Sequence, residues 1–209
     1  MSDTYSFTVE KLARKDISEA SLVVAAALQV EPGFAFVVPD ERQRAVVMQT
    51  MLGILIRDAF PMGNVWIARD GRQIVGTAVW YAPGDFPMTI GRNLRAAPFM
   101  LPLARFGLGM MTNLAQMGKN LQSHFPTQPC WYLSALGVAP DQQGKGIGSQ
   151  LMGAALQEID QRREPAYLET GEEANVRLYQ RYGFAVRDPA FQMAPAPGPT
   201  HWTMWRDAR

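Results

Sequence analysis

The chain has 209 residues, of which 47% are hydrophobic and 19% charged, and its formal net charge is +1. That length suits one domain with a core of its own, and the near-neutral balance argues against a nucleic-acid binder, which carries a strongly basic face. A single cysteine, Cys130, excludes an internal disulfide and fits a reducing, cytoplasmic setting. Residues 1–10 lack the basic-then-apolar pattern of a signal peptide. The apolar stretch 96–111 is broken by Pro98, Pro102 and Arg105, short of the roughly 18 apolar residues of a membrane span.

In chain order, residues 5–12 read as a short strand. Residues 17–28 read as a helix, with Ala20, Val23, Val24 and Leu28 on one face and Asp16 or Ser18 as its cap. Asp40, after Pro39, caps a second helix that runs to about Phe60. The period then changes. Residues 65–68 and 74–80 flank Arg69-Asp70-Gly71-Arg72, and Asp-Gly between β-branched and aromatic runs predicts a hairpin. Helical spacing returns over 87–121, where Leu103, Phe106, Met110, Leu114, Met117 and Leu121 form a stripe. Such a stripe serves as core, as a pocket wall or as a homodimer contact, since methionine adapts to irregular surfaces.

From Trp131 the pattern alternates strand, helix, strand, helix, strand. A helix over 146–163 places Ile147, Leu151, Ala155 and Ile159 on one face, and Pro165 stops it. A strand over 166–170, a helix over 172–182 closed by Gly183, and a terminal strand over 201–206 follow. Alternating β and α units argue a mixed α/β layered fold. With no repeat and no linker, residues 1–209 form one domain, with a core at 131–184 and a helical segment at 83–128.

The informative passage runs from Leu136-Gly137-Val138 through Gln143-Gly144-Lys145-Gly146-Ile147-Gly148-Ser149 to Leu151. An apolar strand, a polar turn and alternating glycines precede an amphipathic helix. Glycines let a backbone approach a ligand closely, and the helix start supplies free N–H groups and partial positive charge, an anion site suited to a pyrophosphate. Two other phosphate loops fail on spacing. Gly144, Gly146 and Gly148 stand two apart, unlike Gly-x-Gly-x-x-Gly. Gly146 follows Lys145 where the nucleotide-triphosphate loop requires a hydroxyl.

These residues resemble the Gln/Arg-x-x-Gly-x-Gly/Ala signature of the GNAT acetyltransferase superfamily. Tyr167-Leu168-Glu169-Thr170 and the run from Asn175 through Tyr179 to Phe184 are similar to its second half. The likeness is closest to the puromycin N-acetyltransferases over 129–184, fainter at 64–71 and in the final strand, and weak over 83–128. It implies an α/β (α+β) fold with a central, mostly antiparallel sheet flanked by helices and splayed strands at the acetyl-CoA site. It also implies acetyl-CoA as cosubstrate and a small-molecule primary amine as acceptor.

By the same resemblance, the main chain of Leu136, Gly137 and Val138 would hold the pantetheine arm, with the Val138 amide polarising the thioester. Residues 143–149 would wrap the pyrophosphate, with Lys145 near it or facing solvent. Tyr179 would protonate the leaving thiolate, and Asn175, one turn earlier, would bond pantetheine amides or stay at the surface. Glu169 is the candidate general base. His124 and His201 have no ligand company, so no metal is expected, and Cys130 has no histidine partner, so direct attack on the thioester is favoured over a covalent intermediate. The alternative is a non-catalytic acyl-CoA-binding or regulatory module that keeps the loop without the chemistry.

Overall fold

The structure, a computed structural model, describes residues 7–209. Strand β1 (Thr8–Lys11) leads into helices α1 (Ile17–Ala27), α2 (Pro32–Val37) and α3 (Glu41–Ala59). The predicted hairpin is β2 (Val65–Asp70) and β3 (Gln73–Tyr81), followed by α4 (Ile90–Met100), a 3-10 stretch Leu101–Phe106 and α5 (Leu108–His124). Then come β4 (Trp131–Val138), α6 (Ile147–Gln161), β5 (Ala166–Thr170), α7 (Glu173–Arg181), β6 (Ala185–Phe191) and β7 (His201–Arg206). The predicted first strand is seen from Thr8, with Tyr5 and Ser6 outside the described residues.

The strands form one sheet in the order β1-β2-β3-β4-β5-β7-β6, antiparallel throughout except between β4 and β5. Alternation sends Trp80, Trp131, Leu133 and Leu168 to one face, where Ile147, Leu151, Ala155 and Ile159 of α6 bury against them. Ile67, Val79, Tyr132 and Tyr167 face the other way, onto Val24 of α1 and Met48, Leu52 and Ile56 of α3. Each large apolar side chain buried this way contributes roughly 1.5–3 kcal/mol, so the two faces hold the sheet between two helical layers.

Helix α3, with its cap Asp40 accepting the Gln43 N–H at 2.8 Å, begins where the sequence places it. Residues 41–62 are long and apolar enough by composition to cross a membrane, yet Val47, Met48, Leu52 and Ile56 pack inside the fold. Asp16 stands at the start of α1 but makes no side-chain cap bond; it pairs with Arg69 at 2.5 Å instead.

Three elements depart from the sequence reading. Helix α2 has no counterpart in it: Pro32 opens the helix and the Glu31 carboxylate accepts the Phe34 N–H at 2.9 Å, in a run too short for periodicity to register. Strand β6 has no counterpart either. It is an edge strand with mostly exposed residues and Pro189, so it shows no apolar alternation. The predicted helical run 87–121 is broken, because Pro102 cannot donate to a ladder and Gly107 takes φ 98°. Of its stripe, Leu103, Leu114 and Met117 pack with Val37, Val38 and Val47 in a third apolar cluster, with Met110 and Phe106 at its margin.

Candidate active site

The parallel strands β4 and β5 pair at only three positions, Trp131 with Ala166, Tyr132 with Tyr167 and Leu133 with Leu168. Beyond Leu133 the strands part, and the cause is visible in the register on the other side. Leu133 pairs with Trp80 while Ala135 pairs with Val79, so Ser134 is an extra residue, a bulge that bends β4 away from β5. The outer half of β4 then keeps β3 as its one neighbour among the described strands.

That register decides which main-chain groups face the gap. The Ala139 N–H donates to the Val75 carbonyl at 2.9 Å, which makes Gly76 and Val138 a non-hydrogen-bonded pair. The N–H and C=O of Val138, and by alternation those of Leu136, therefore point away from β3 into the opening. The Val138 carbonyl accepts a bond from Gln143 Nε2 at 3.2 Å, leaving the amide as the donor aimed at the gap. Gly137 is turned the other way, toward Thr77 of β3. The packing supplies its reason for lacking a side chain: a Cβ there would lie 2.8 Å from Ala27 Cβ and 3.0 Å from Val24 Cγ2, too close for α1 to sit on the sheet.

The helix that follows begins bare. Gly146, at φ 81°, precedes Ile147 with no side-chain cap, and the first helical bond runs from the Gln150 N–H to the Gly146 carbonyl. The amides of Ile147, Gly148 and Ser149 are thus the unsatisfied donors of the first turn. Gly144 also takes positive φ, 78°, so the loop turns twice through conformations that L-residues resist. A Cβ on Gly148 would lie 3.7 Å from Val138 Cγ2, which sets this positive helix end directly beside the end of β4. Lys145 donates to Gln142 Oε1 at 2.8 Å, within the loop itself.

Helix α7 docks on that first turn, through the Tyr182 hydroxyl donating to the Ser149 carbonyl at 2.7 Å. Tyr179 is buried beside Phe184 at a ring separation of 6.1 Å; burial, aided by Glu172, pushes its phenol above the ordinary value. Burial keeps the phenol protonated and by the same shift makes it a weaker acid than free tyrosine. Asn175 is half-buried one turn before it.

Glu169 lies on β5 one residue past the last pair with β4, on the same face as Tyr167 and Tyr132. Its Oε1 is shielded from solvent and has no hydrogen-bond partner among the described residues, and the same holds for the Tyr167 hydroxyl. Burial raises the Glu169 pKa from 4.5 to about 7, while the nearby Tyr167 and Tyr132 hydroxyls pull the other way and lose. A carboxyl poised near neutrality is suited to take a proton at physiological pH. Cys130 is buried, with its thiol pushed up to about 12 by desolvation and then by the Glu169 charge, which makes it a poor nucleophile.

Residues that no local pattern announced complete the surroundings. His201 is almost fully buried and meets Glu31 at 2.6 Å, tying the start of α2 to the end of the sheet where β5 stops. Burial opposes the Glu31 charge, but the His201 bond and the Phe34 and Gly33 amides outweigh it and hold the carboxyl below its usual range. Arg92, at the start of α4, pairs with Asp58 of α3, and Asp58 Oδ2 accepts the Tyr81 hydroxyl at 2.9 Å. The two partners in each pair lie 170 and 34 residues apart, beyond any local window. A hollow of about 600 Å³ opens elsewhere, by Gly153, Asp160 and Arg206 on the outer side of α6, and takes no part in this arrangement.

A parted strand pair, an inward amide and a bare, glycine-led helix start form the arrangement that the sequence resemblance implies. The acetyltransferase (GNAT) family model matches residues 34–184. The chain belongs to the GNAT acetyltransferase family. It is accordingly an acetyl-CoA-dependent acyltransferase, and the seven-stranded mixed sheet is the GNAT fold. Among solved structures it is similar to a histone acetyltransferase-related acetyltransferase from Corynebacterium glutamicum, with 21% identity, a TM-score of 0.71, and 98% of this chain and 97% of that one covered. A Drosophila melanogaster polyamine N-acetyltransferase shares 17% identity at a TM-score of 0.63, over 97% of this chain and 100% of the other. Arylalkylamine N-acetyltransferase 2 from Aedes aegypti shares 13% at 0.62, over 98% and 100%. At such identities these GNAT neighbours establish the shared fold.

Proposed function

We propose that this GNAT enzyme transfers the acetyl group of acetyl-CoA directly to a primary amine of a small molecule. The observation that carries the reading is the gap after Leu133 and Leu168, with the Val138 amide turned into it beside the uncapped start of α6. The pyrophosphate rests on the amides of residues 143–149, and the pantetheine arm continues the sheet along Leu136 and Val138. The Val138 amide polarises the thioester carbonyl, and a donor aimed at a developing oxyanion contributes about 2.7–4 kcal/mol.

An acceptor amine resembles lysine in basicity, with a pKa near 10.4, so freeing its lone pair at neutral pH costs about 4–5 kcal/mol. Glu169 takes that proton, directly or through a water. The nitrogen attacks the thioester carbon, the C–N bond forms, the C–S bond breaks, and the thiolate receives the Tyr179 proton. Asn175 stands to bond the pantetheine amides from the same helix. Neighbours named for polyamine and arylalkylamine acetylation support an amine acceptor, and the resemblance read from the sequence of 129–184 adds the acceptor of the puromycin N-acetyltransferases as a candidate. Puromycin is therefore one amine to test, while the dissimilar segment 83–128 keeps it from being assumed. The buried, unpaired Cys130 supports a reducing, cytoplasmic setting.

Thiol release from acetyl-CoA across a panel of primary amines tests the reading. Turnover with at least one amine, reduced about tenfold in kcat by Tyr179→Phe, is expected. Saturable CoA binding with no turnover on any amine, unchanged by Tyr179→Phe, would instead favour a binding or regulatory module.

A further inference from the structure

Around Glu169 the sheet face is paved with rings. Tyr132 lies 6.0 Å from Tyr167 and 6.5 Å from Tyr81, and Phe86 and Phe125 close on it at 4.6 and 5.2 Å. Phe125 reaches Tyr167 as well, at 5.5 Å. Tyr81, Tyr132 and Tyr167 are buried, whereas Phe86 and Phe125 are half-buried and come from the two ends of the helical segment that follows β3. Phe86 and Phe125 thus pack, half-buried, over the three buried tyrosines on the sheet face that Glu169 shares.

The Glu169 carboxylate beside these rings lacks a counter-charge among the described residues. Its Oε1 is out of contact with solvent and accepts no hydrogen bond, and the groups that act on it are the Tyr167 and Tyr132 hydroxyls and its own main chain. Arg187 acts on Cys130 and Tyr167 on this face but is not among the groups that set Glu169. A shielded carboxylate without a counter-charge is costly even beside hydroxyls, and a cation that arrives with the ligand relieves it. Aromatic faces attract the same cation and exclude water from it. A second negative charge brought near Glu169 would be repelled in a medium of low dielectric constant.

Building on the amine acetyltransfer reading above, we propose that the acceptor is a cationic alkylamine or arylalkylamine whose amino-bearing carbon carries no carboxylate, its ammonium received at Glu169 and its apolar body against Phe86 and Phe125. The selectivity comes from the carboxylate of the enzyme, which accepts the ammonium and rejects an acceptor that is itself an acid. An α-amino acid of the same skeleton is therefore a poor acceptor.

2-Phenylethylamine and phenylalanine differ in that carboxylate alone and make the test. CoA is first titrated into the protein by calorimetry, then each amine into the CoA-loaded protein, and turnover is followed with acetyl-CoA. The expected result is a kcat/KM at least about 100-fold higher for 2-phenylethylamine, with a matching preference in binding. In Glu169→Gln the binding preference should shrink to less than about tenfold while CoA affinity stays within about twofold, and a thermal melt confirms that the variant is folded. Equal use of the two compounds, a preference that survives Glu169→Gln undiminished, or CoA-loaded protein that binds neither amine at millimolar concentration would each overturn the proposal. Absence of CoA binding in the first titration would overturn the acetyltransfer reading itself, so the two failures are told apart.

Discussion

The cofactor half and the acceptor-side segment are built on different terms. From β4 through α7, local sequence, packing and chemistry coincide: the strand parts at Ser134, the loop turns at Gly144 and Gly146, and the helix start faces the opening. From α4 through α5, attachment is sparse. Helix α4 has no buried residue, Ile90, Leu94, Leu101 and Leu108 are exposed, and the arm is held by the Arg92–Asp58 pair, by Phe86 and Phe125 at its ends, and by Leu103, Leu114 and Met117. On the proposed reading, cofactor binding rests on main-chain amides and so on backbone shape, which a short motif can encode, whereas acceptor choice rests on side chains that meet from distant parts of the chain.

The sharpest way to break this comparison is at Glu169, which belongs to β5 by position and, on the proposed reading, to the acceptor side by role. Glu169→Gln is expected to lower kcat/KM by about 100-fold or more at pH 8, in line with general-base contributions, while CoA affinity stays unchanged. The wild-type kcat/KM should rise with pH through a midpoint near the Glu169 value of about 7, and the variant should lose that limb. Stability runs the opposite way. Because the folded state holds this proton more tightly than the unfolded chain does, stability is full below about 4.5 and falls as pH climbs through about 7. At 1.36 kcal/mol per unit the loss is on the order of 3 kcal/mol at most, and Glu169→Gln removes it, as urea melts at pH 5 and 8 would read.

Next in size is the loop. Gly146→Val places a β-branched residue at φ 81° and strains the cradle by about 1–3 kcal/mol. Calorimetry should find CoA bound roughly 10- to 100-fold more weakly, with amine selectivity retained by whatever activity remains. Arg92→Ala leaves the half-buried Asp58 without its cation, though still bonded by Tyr81, and should destabilise the fold by about 1–3 kcal/mol in a denaturant melt. Its kinetic mark is a raised KM for the amine with CoA affinity little altered; the reverse pattern would dissolve the division between the two regions. The smallest effect belongs to Gly137→Ala, which forces α1 off the sheet and costs about 1–3 kcal/mol of stability. If Gly137 acts through packing, as its turn toward β3 argues, CoA affinity stays within about twofold.

Much of the fold could be read directly. The hairpin, β5 and β7 are found almost at their expected residues, and α6 is found within two residues of its expected ends, because amphipathic periodicity and Gly and Pro punctuation act over a few residues. The loop at 143–149 is equally legible as a backbone shape, which three glycines before an apolar helix encode. Glu169 could be named from its place in a strand, but not its lack of a counter-charge among the described residues, and Tyr179 from its motif, but not its burial.

What the sequence determined by itself is therefore the set of local elements and the backbone loop between β4 and α6, since both are governed by neighbours in the chain. Tertiary structure alone decided the rest. The bulge at Ser134 shows only in the register against β3, the edge strand β6 is recruited by β7, and Glu31 meets His201 and Arg92 meets Asp58 across long stretches of chain. The rings before Glu169 come from β3, β4, β5 and both ends of the helical segment between β3 and β4, and their convergence depends on long-range packing that no local period records.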